Sequence, residues 1–149
     1  TFGKAVLNPD RTLNRQVLGA IVFRSQTKLR RLEQIIHPRV AREQARLTRQ
    51  AARKDPNAVV IYDVPLLFEA GIDKRVDKIV VVIADRETQI ARLHRRNGFT
   101  RAEAIRRIRS QLPLRKKAAA ADYLLDGTTA RPRLLTLVNR LYRELQSLA

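Results

Sequence analysis

Residues 59–69 read Val-Val-Ile-Tyr-Asp-Val-Pro-Leu-Leu-Phe-Glu, an unbroken apolar run that ends in a carboxylate and a proline. A strand covered by helices on both faces shows such a continuous run, whereas a strand with a solvent face alternates apolar and polar residues. Pro65 cannot donate to a β-ladder and disfavours helix at Val64, so the pattern predicts a buried parallel strand over 58–63. Ligands of open α/β sheets bind at the carboxyl ends of strands, where this strand would present Asp63.

Two further apolar segments, residues 78–84 and 122–125, have the length and composition of strands. The connection between 58–63 and 78–84 is long enough for parallel strands, which cannot be joined by a tight hairpin. The sequence therefore predicts an α/β protein with a three-layer arrangement, in which helices flank a parallel sheet. We expect residues 1–149 to form a single domain, because the chain is too short for two ordinary ones.

Helix signals surround these strands. Thr12 or Asn14 is suited to cap a first helix and Ser25 a second, and His37-Pro38 predicts the end of that second helix and the start of another over 40–54.

Farther along, Asp85 predicts a helix start, Gly98 its end, and Thr100-Arg-Ala-Glu103 a capping box for a helix that reaches Leu112. Residues 114–121 predict a short helix. The last helix, after Arg131-Pro132, has an apolar stripe that predicts a buried face: Leu134, Leu137, Val138, Leu141, Leu145 and Leu148.

The charge is strongly one-sided, with 31 Lys and Arg against 14 Asp and Glu and a formal net charge of +17. Such a surface attracts polyanions, but arginine-rich solvated helices without any ligand would give the same balance. No cysteine is present, so no disulfide or thiolate metal site is expected, and no apolar run has the length of a membrane span. These features favour a cytoplasmic protein with no membrane partner. Because the sequence begins with Thr1 and contains no methionine, we expect an N-terminal segment to be missing.

Several short motifs occur in one order along essentially the whole chain. They are Phe2-Gly3, the helix over 18–23, 32–38 with His37-Pro38, 63–69, 88–92, 96–98, 107–111 and 121–126. In order and approximate spacing they resemble the dephospho-CoA kinase family. No single motif is decisive, but together they indicate common ancestry.

The resemblance implies a fold similar to that of nucleoside monophosphate kinases, with a parallel sheet, an N-terminal P-loop, a helical acceptor-substrate region over 12–54 and a lid over 99–120. It implies that ATP, with Mg²⁺, phosphorylates the ribose 3′-hydroxyl of dephospho-CoA in the last step of coenzyme A biosynthesis.

One departure from the family is severe. The glycines stand at positions 3, 19, 71, 98 and 127, and none forms the G-x-x-x-x-G-K-[ST] loop. We therefore expect an N-terminally truncated kinase that is inactive as this fragment. The alternative is a catalytically dead, kinase-derived basic protein that binds RNA or a ribonucleoprotein.

The resemblance also implies residue roles on the nucleotide side. Arg92 matches the catalytic arginine directed at the transferring phosphoryl group, although its spacing alone favours a helix-surface arginine without a ligand. Arg96, Arg107 and Gln111 match ATP-binding positions on or beside the lid. Asp126 and Gly127 match the loop that approaches adenine, with glycine in place of the family's usual asparagine.

On the acceptor side, the resemblance implies contacts from His37, Pro38, Asp63, Pro65 and Leu66. Asp63 is suited either to hold a Mg²⁺-bound water or to cap the following turn. His37-Pro38 is either a polar contact to dephospho-CoA or a helix junction. The sequence predicts no metal site built on histidine, because only His94 accompanies His37 and no acidic cluster lies near it.

Overall fold

Two strands pair in parallel in the computed structural model, which describes residues 1–22 and 24–148. They are β1 (Val80–Ile83) and β2 (Tyr123–Asp126), with Val81 opposite Leu124. The α/β class and the parallel pairing predicted from the sequence are confirmed. The chain divides into two compact units, Thr1–Val60 and Ile61–Ala149.

The first unit contains two helices, α1 (Arg15–Val22) and α2 (Gln26–Lys54). Asn14 caps α1, since its side-chain oxygen accepts a hydrogen bond from the amide of Val17 at 3.0 Å. Ser25 caps α2 as predicted. Val6, Leu18 and Val22 are buried at the centre of this unit. The helix predicted over 18–23 includes Phe23, which lies outside the described residues.

The predicted break at His37-Pro38 is wrong, because α2 continues through Pro38. A proline inside a helix removes one backbone hydrogen bond and crowds the preceding turn, but it does not forbid the helix. The residues that follow are mostly Arg, Ala, Gln and Leu, which favour helix strongly enough to continue it to Lys54.

The predicted strand over 58–63 is also wrong. Residues 58–64 belong to no helix or strand, and Ile61 is 73% exposed. A strand requires a neighbouring strand to hydrogen-bond its backbone groups. In the described residues β1 and β2 pair with each other and not with this segment. Beyond Val64, residues 65–71 form a turn closed by the bond from the Ala70 amide to the Leu66 carbonyl at 3.0 Å.

The second unit contains α3 (Arg86–Asn97), α4 (Arg101–Arg109), α5 (Leu114–Ala119) and α6 (Arg131–Gln146). Asp85 caps α3, Gly98 ends it in the left-handed region with φ 68°, and Thr100 and Glu103 form the predicted capping box. The predicted fully buried stripe on α6 is wrong, since none of its residues is buried and Leu148, just beyond the helix, is 60% exposed. Periodicity identifies the apolar face of a helix but not the area available to cover it.

In the described residues, every helix is too short or too polar to cross a membrane.

Candidate functional site

The ends of α3 and α4 and the start of α5 enclose an open pocket of about 850 Å³. Its lining is strongly basic and includes no carboxylate. The cationic side chains that line it are Arg92, Arg95, Arg96, Arg107 and Lys117. Gln111 lies on the same wall. Like charges clustered without a carboxylate repel each other, so the pocket is suited to a ligand with several negative charges.

Arg92 projects from α3 towards the carboxyl ends of the two strands. Its Nη2 donates a hydrogen bond of 2.5 Å to the carbonyl of Gly127, directly after β2. The Gly127 amide in turn donates to the carbonyl of Ile83, the last residue of β1, at 2.8 Å. The guanidinium is therefore held at the sheet edge where α/β proteins bind ligands.

Gly127 itself allows this close approach. A Cβ atom at this position would lie 2.9 Å from Val82 Cγ1 and 3.3 Å from Arg92 Nη1. Glycine in place of the family's asparagine is thus consistent with the packing of β1 and Arg92 against this turn.

Asp126 precedes Gly127 and forms a local turn. Its Oδ1 accepts hydrogen bonds from the Thr128 hydroxyl at 2.6 Å and the Thr128 amide at 2.8 Å. These two bonds are the main reason that the pKa of Asp126 lies below its usual value, and the positive charge of Arg92 lowers it further. The carboxylate is therefore ionised at neutral pH beside the Arg92 guanidinium.

Arg107, on α4, lies over the ring of Phe99, with Cζ 4.2 Å from the ring centroid. This cation–π contact orients the guanidinium towards the pocket wall without neutralising its charge. Arg96 is held by its neighbour, since its Nε donates to Asn97 Oδ1 at 2.9 Å. The structure thus brings Arg92, Arg96, Arg107 and Gln111 to one pocket.

The predicted acceptor-side residues do not line this pocket. Asp63, Pro65 and Leu66 are exposed at the start of the second unit, and His37 and Pro38 are exposed in the middle of α2 in the first unit. Their roles stay predictions. Within residues 1–22 and 24–148, no group of three or more His, Cys, Asp or Glu side chains is placed to hold a metal ion.

Sequence reasoning missed Phe99, Arg95 and Lys117 in the pocket wall. Phe99 lies between Gly98 and Thr100, in a connection that gave no separate signal. Lys117 follows Arg115 and Lys116 in a basic run. Its three-residue spacing from Leu114 would have placed it on the apolar side of α5, which is the signal that could have found it.

Solved structures with similar architecture support the fold. A Thermus thermophilus protein, TT1252, superimposes with a TM-score of 0.77 at 30% identity, covering 95% of this chain and 71% of that one. A dephospho-CoA kinase from Campylobacter jejuni gives a TM-score of 0.66 at 22% identity over 95% of this chain and 70% of its own. The fold is therefore of the P-loop kinase-like α/β class.

Sequence comparison identifies the family within that class. A family model described as dephospho-CoA kinase matches residues 1–131. The chain is 50% identical to a dephospho-CoA kinase of Geobacter metallireducens over 127 residues, which are 85% of this chain and 62% of that relative. The chain thus belongs to the dephospho-CoA kinase family and spans about three fifths of the length of that relative.

Proposed function

We propose that this chain forms the nucleotide-clamping part of a dephospho-CoA kinase, which transfers the γ-phosphoryl group of ATP to the ribose 3′-hydroxyl of dephospho-CoA. The observation that carries the proposal is the position of Arg92 beside Gly127, at the edge of a pocket that Arg96 and Arg107 also line. Family membership supports it independently.

In this proposal Arg92 stabilises charge on the oxygens of the phosphoryl group during transfer. Phosphoryl transfer depends mainly on positioning and on compensation of negative charge, and a guanidinium fixed by a backbone carbonyl needs little reorganisation. Arg96 and Arg107 hold the remaining phosphates, since guanidinium groups bind phosphate oxygens through paired hydrogen bonds. Gln111, within the predicted lid, contributes a polar contact.

The basic lining fits the triphosphate of ATP, but it does not fit Mg²⁺. Magnesium prefers oxygen ligands and is held in proteins by carboxylates together with substrate phosphates. The pocket lining contains no Asp or Glu. We therefore assign no residue of this pocket to the metal and leave Mg²⁺ out of the roles given to these residues.

We further propose that residues 1–149 alone transfer no phosphoryl group at a measurable rate. These residues contain no G-x-x-x-x-G-K-[ST] sequence, and that loop supplies the backbone donors and the lysine that hold the β- and γ-phosphates.

A chimaera tests the proposal. Residues 1–149 are joined to the N-terminal strand, P-loop and helix that the family resemblance implies for the Geobacter relative, and formation of ADP is followed with dephospho-CoA as acceptor. We expect the chimaera to be active, and Arg92→Ala to lower its kcat by roughly 10³-fold, the scale of removing an arginine finger.

Arg106→Ala is the matched control, because Arg106 lies next to Arg107 on α4 but does not line the pocket. It should leave turnover within about twofold of the parent, in line with the small effects of surface substitutions. An inactive parent chimaera would contradict the proposed function. Full activity of the Arg92→Ala chimaera would contradict the role of that residue.

A second candidate function, binding of RNA, rests on a separate feature of the first unit. Arginines at 39, 42, 46, 49 and 53 recur at intervals of three and four residues along α2, and all five are exposed. They form one stripe about 21 Å long at ~1.5 Å per residue, a length suited to several backbone phosphates. Glu43 neutralises part of it by pairing with Arg46 at 2.6 Å.

The salt dependence of binding distinguishes this candidate from the kinase. A structured RNA held by the stripe should lose affinity steeply as salt rises, and Arg42→Ala with Arg49→Ala should reduce the slope by about 2, one per phosphate contact. Weak binding that is equal for every RNA tested, with an unchanged slope in the variant, would exclude the stripe as a specific site.

A further inference from the structure

Lys117 is the one charged side chain that is buried among the described residues, and the roles proposed above do not use it. Only 11% of its side-chain surface is exposed. Its Nζ lies 2.7 Å from Glu69 Oε1, 3.3 Å from the Pro65 carbonyl and 3.5 Å from Gln111 Oε1. A buried ammonium requires such partners, because leaving it unpaired would be costly.

Glu69 extends this contact to a third segment. The same Oε1 atom accepts a hydrogen bond from the backbone amide of Leu112 at 2.8 Å. The pKa of Glu69 is lowered: partial burial opposes ionisation, but the bonds from Lys117 and Leu112 outweigh it. The carboxylate therefore stays charged at neutral pH.

Three segments meet at this pair: the turn over 65–71, residues 110–112 after α4, and α5. The C-terminal end of α4 is thus tied to the rest of the unit by an ion pair whose side chains are 11% exposed at Lys117 and 23% exposed at Glu69. The N-terminal end of α4 is tied to α3 by Arg101 and Glu87, whose side chains are 62% and 65% exposed. Exposed ion pairs contribute little to stability, so the Lys117–Glu69 contact holds α4 more firmly at its C-terminal end.

Both Lys117 and Gln111 line the basic pocket, and Arg107 lies on the last turn of α4. We propose that Lys117 is a positioning residue: with Glu69 it fixes the C-terminal end of α4, and so sets where Arg107 and Gln111 meet the ATP phosphates. The inference rests on the proposed kinase function. Lys117 is not a catalytic residue here, because it acts through the groups it places.

The Pro65 contact adds a consequence. Pro65 and Leu66 belong to the predicted acceptor-side segment, and Lys117 bonds directly to the Pro65 carbonyl. The same ammonium therefore contacts the nucleotide pocket and the segment expected to meet dephospho-CoA. Loss of Lys117 should affect apparent binding of both substrates.

The first measurement uses the 149-residue chain alone and reads backbone amide exchange by NMR. Lys117→Met and Glu69→Gln should each speed exchange of the Leu112 amide by about tenfold or more, because local opening at this contact becomes easier. Amides of Val81 and Leu124 should be unchanged, which separates a local effect from general unfolding. Lys116→Met is the matched control, since Lys116 is the exposed neighbour of Lys117.

The second measurement uses the active chimaera. Lys117→Met should raise KM for ATP by about tenfold and change kcat by less than about threefold, the pattern of lost substrate positioning rather than lost chemistry. Lys117→Arg keeps the charge and should reverse at least half of the increase in KM for ATP. Lys116→Met should match the parent in both constants.

The outcomes are distinguishable. An inactive parent chimaera overturns the proposed function, and the positioning role falls with it, while the exchange experiment still reports on the contact. Unchanged Leu112 exchange in both variants overturns the inferred contact. Faster exchange with an unchanged KM for ATP overturns the positioning role and leaves Lys117 a structural residue.

Discussion

Replacing Gly127 by alanine tests the packing that holds Arg92 at the sheet edge. The added Cβ would lie 2.9 Å from Val82 Cγ1, far inside normal contact, and 3.3 Å from both Arg92 Nη1 and the Ile83 carbonyl. Overpacking of this kind costs about 1–3 kcal/mol. Loss of backbone freedom in the unfolded chain offsets about 0.4–1 kcal/mol of that.

The net expectation for Gly127→Ala is a loss of about 1 kcal/mol in the free energy of unfolding, measured by urea denaturation. This corresponds to a fall of about 2–4 °C in Tm for a chain of this size. In a Val82→Ala background the closest contact is gone, and the same substitution should become neutral or slightly stabilising. Val82 is 60% exposed, so Val82→Ala alone should cost little. An equal cost of Gly127→Ala in both backgrounds would refute the steric argument.

Three further predictions concern the second unit. Thr100→Ala removes the capping box of α4 and should lower the free energy of unfolding by about 1 kcal/mol in urea denaturation. Glu69→Gln removes the carboxylate that pairs with Lys117 and should cost about 2 kcal/mol at pH 7, the scale of one hydrogen bond to a charged group, because the ammonium keeps its contacts with the Pro65 carbonyl and Gln111. The pKa of Glu69 lies below its usual 4.5 in the folded chain, so this difference should persist above pH 4.5 and shrink as pH falls through the folded value. Phe99→Leu removes the ring under Arg107 and should raise KM for ATP in the chimaera by about threefold, on the scale of an exposed cation–π contact, with stability nearly unchanged.

The elements that could be predicted from the sequence are those whose boundaries depend on local chemistry. Asp85, Gly98 and the Thr100–Glu103 box act within one helical turn of themselves, and the structure confirms each of them. The run at 78–84 was also correctly predicted as a strand, observed as β1. For the helix ends local signals sufficed, because the residues that satisfy each backbone group lie nearby in the chain. Strand β1 differs, because its partner β2 lies far along the sequence, and its apolar run indicated the strand without identifying that partner.

Local sequence signals were not enough to predict whether residues 58–63 form a strand. Their apolar run indicates a tendency to be buried, but a strand exists only where a partner supplies the ladder, and that partner is distant in sequence. The helix break predicted at Pro38 was wrong for the opposite reason. The rule that proline ends a helix is local, and the strong helix formers of α2 outweighed it.

The residues of the candidate site also fall into two groups, those that the sequence identified and those that depend on distant contacts. Arg92, Arg96, Arg107 and Gln111 were assigned by resemblance, and the structure brings them to one pocket. Lys117 could not be separated from Lys116 by composition, because its partner Glu69 lies 48 positions away in the chain. Buried ion pairs of this kind are set by tertiary structure and leave little trace in a local pattern.

The basic pocket is proposed as the ATP-phosphate site, and an NMR titration of the 149-residue chain with ATP examines that assignment without further chemistry. We expect the largest chemical-shift changes at Arg92, Arg96, Arg107 and Gly127. Arg92→Ala should reduce these changes, and Arg106→Ala should leave them as they are. Chemical-shift changes confined to the arginine stripe of α2 would contradict this assignment. So would changes of equal size in the pocket and in the stripe with every polyanion tested.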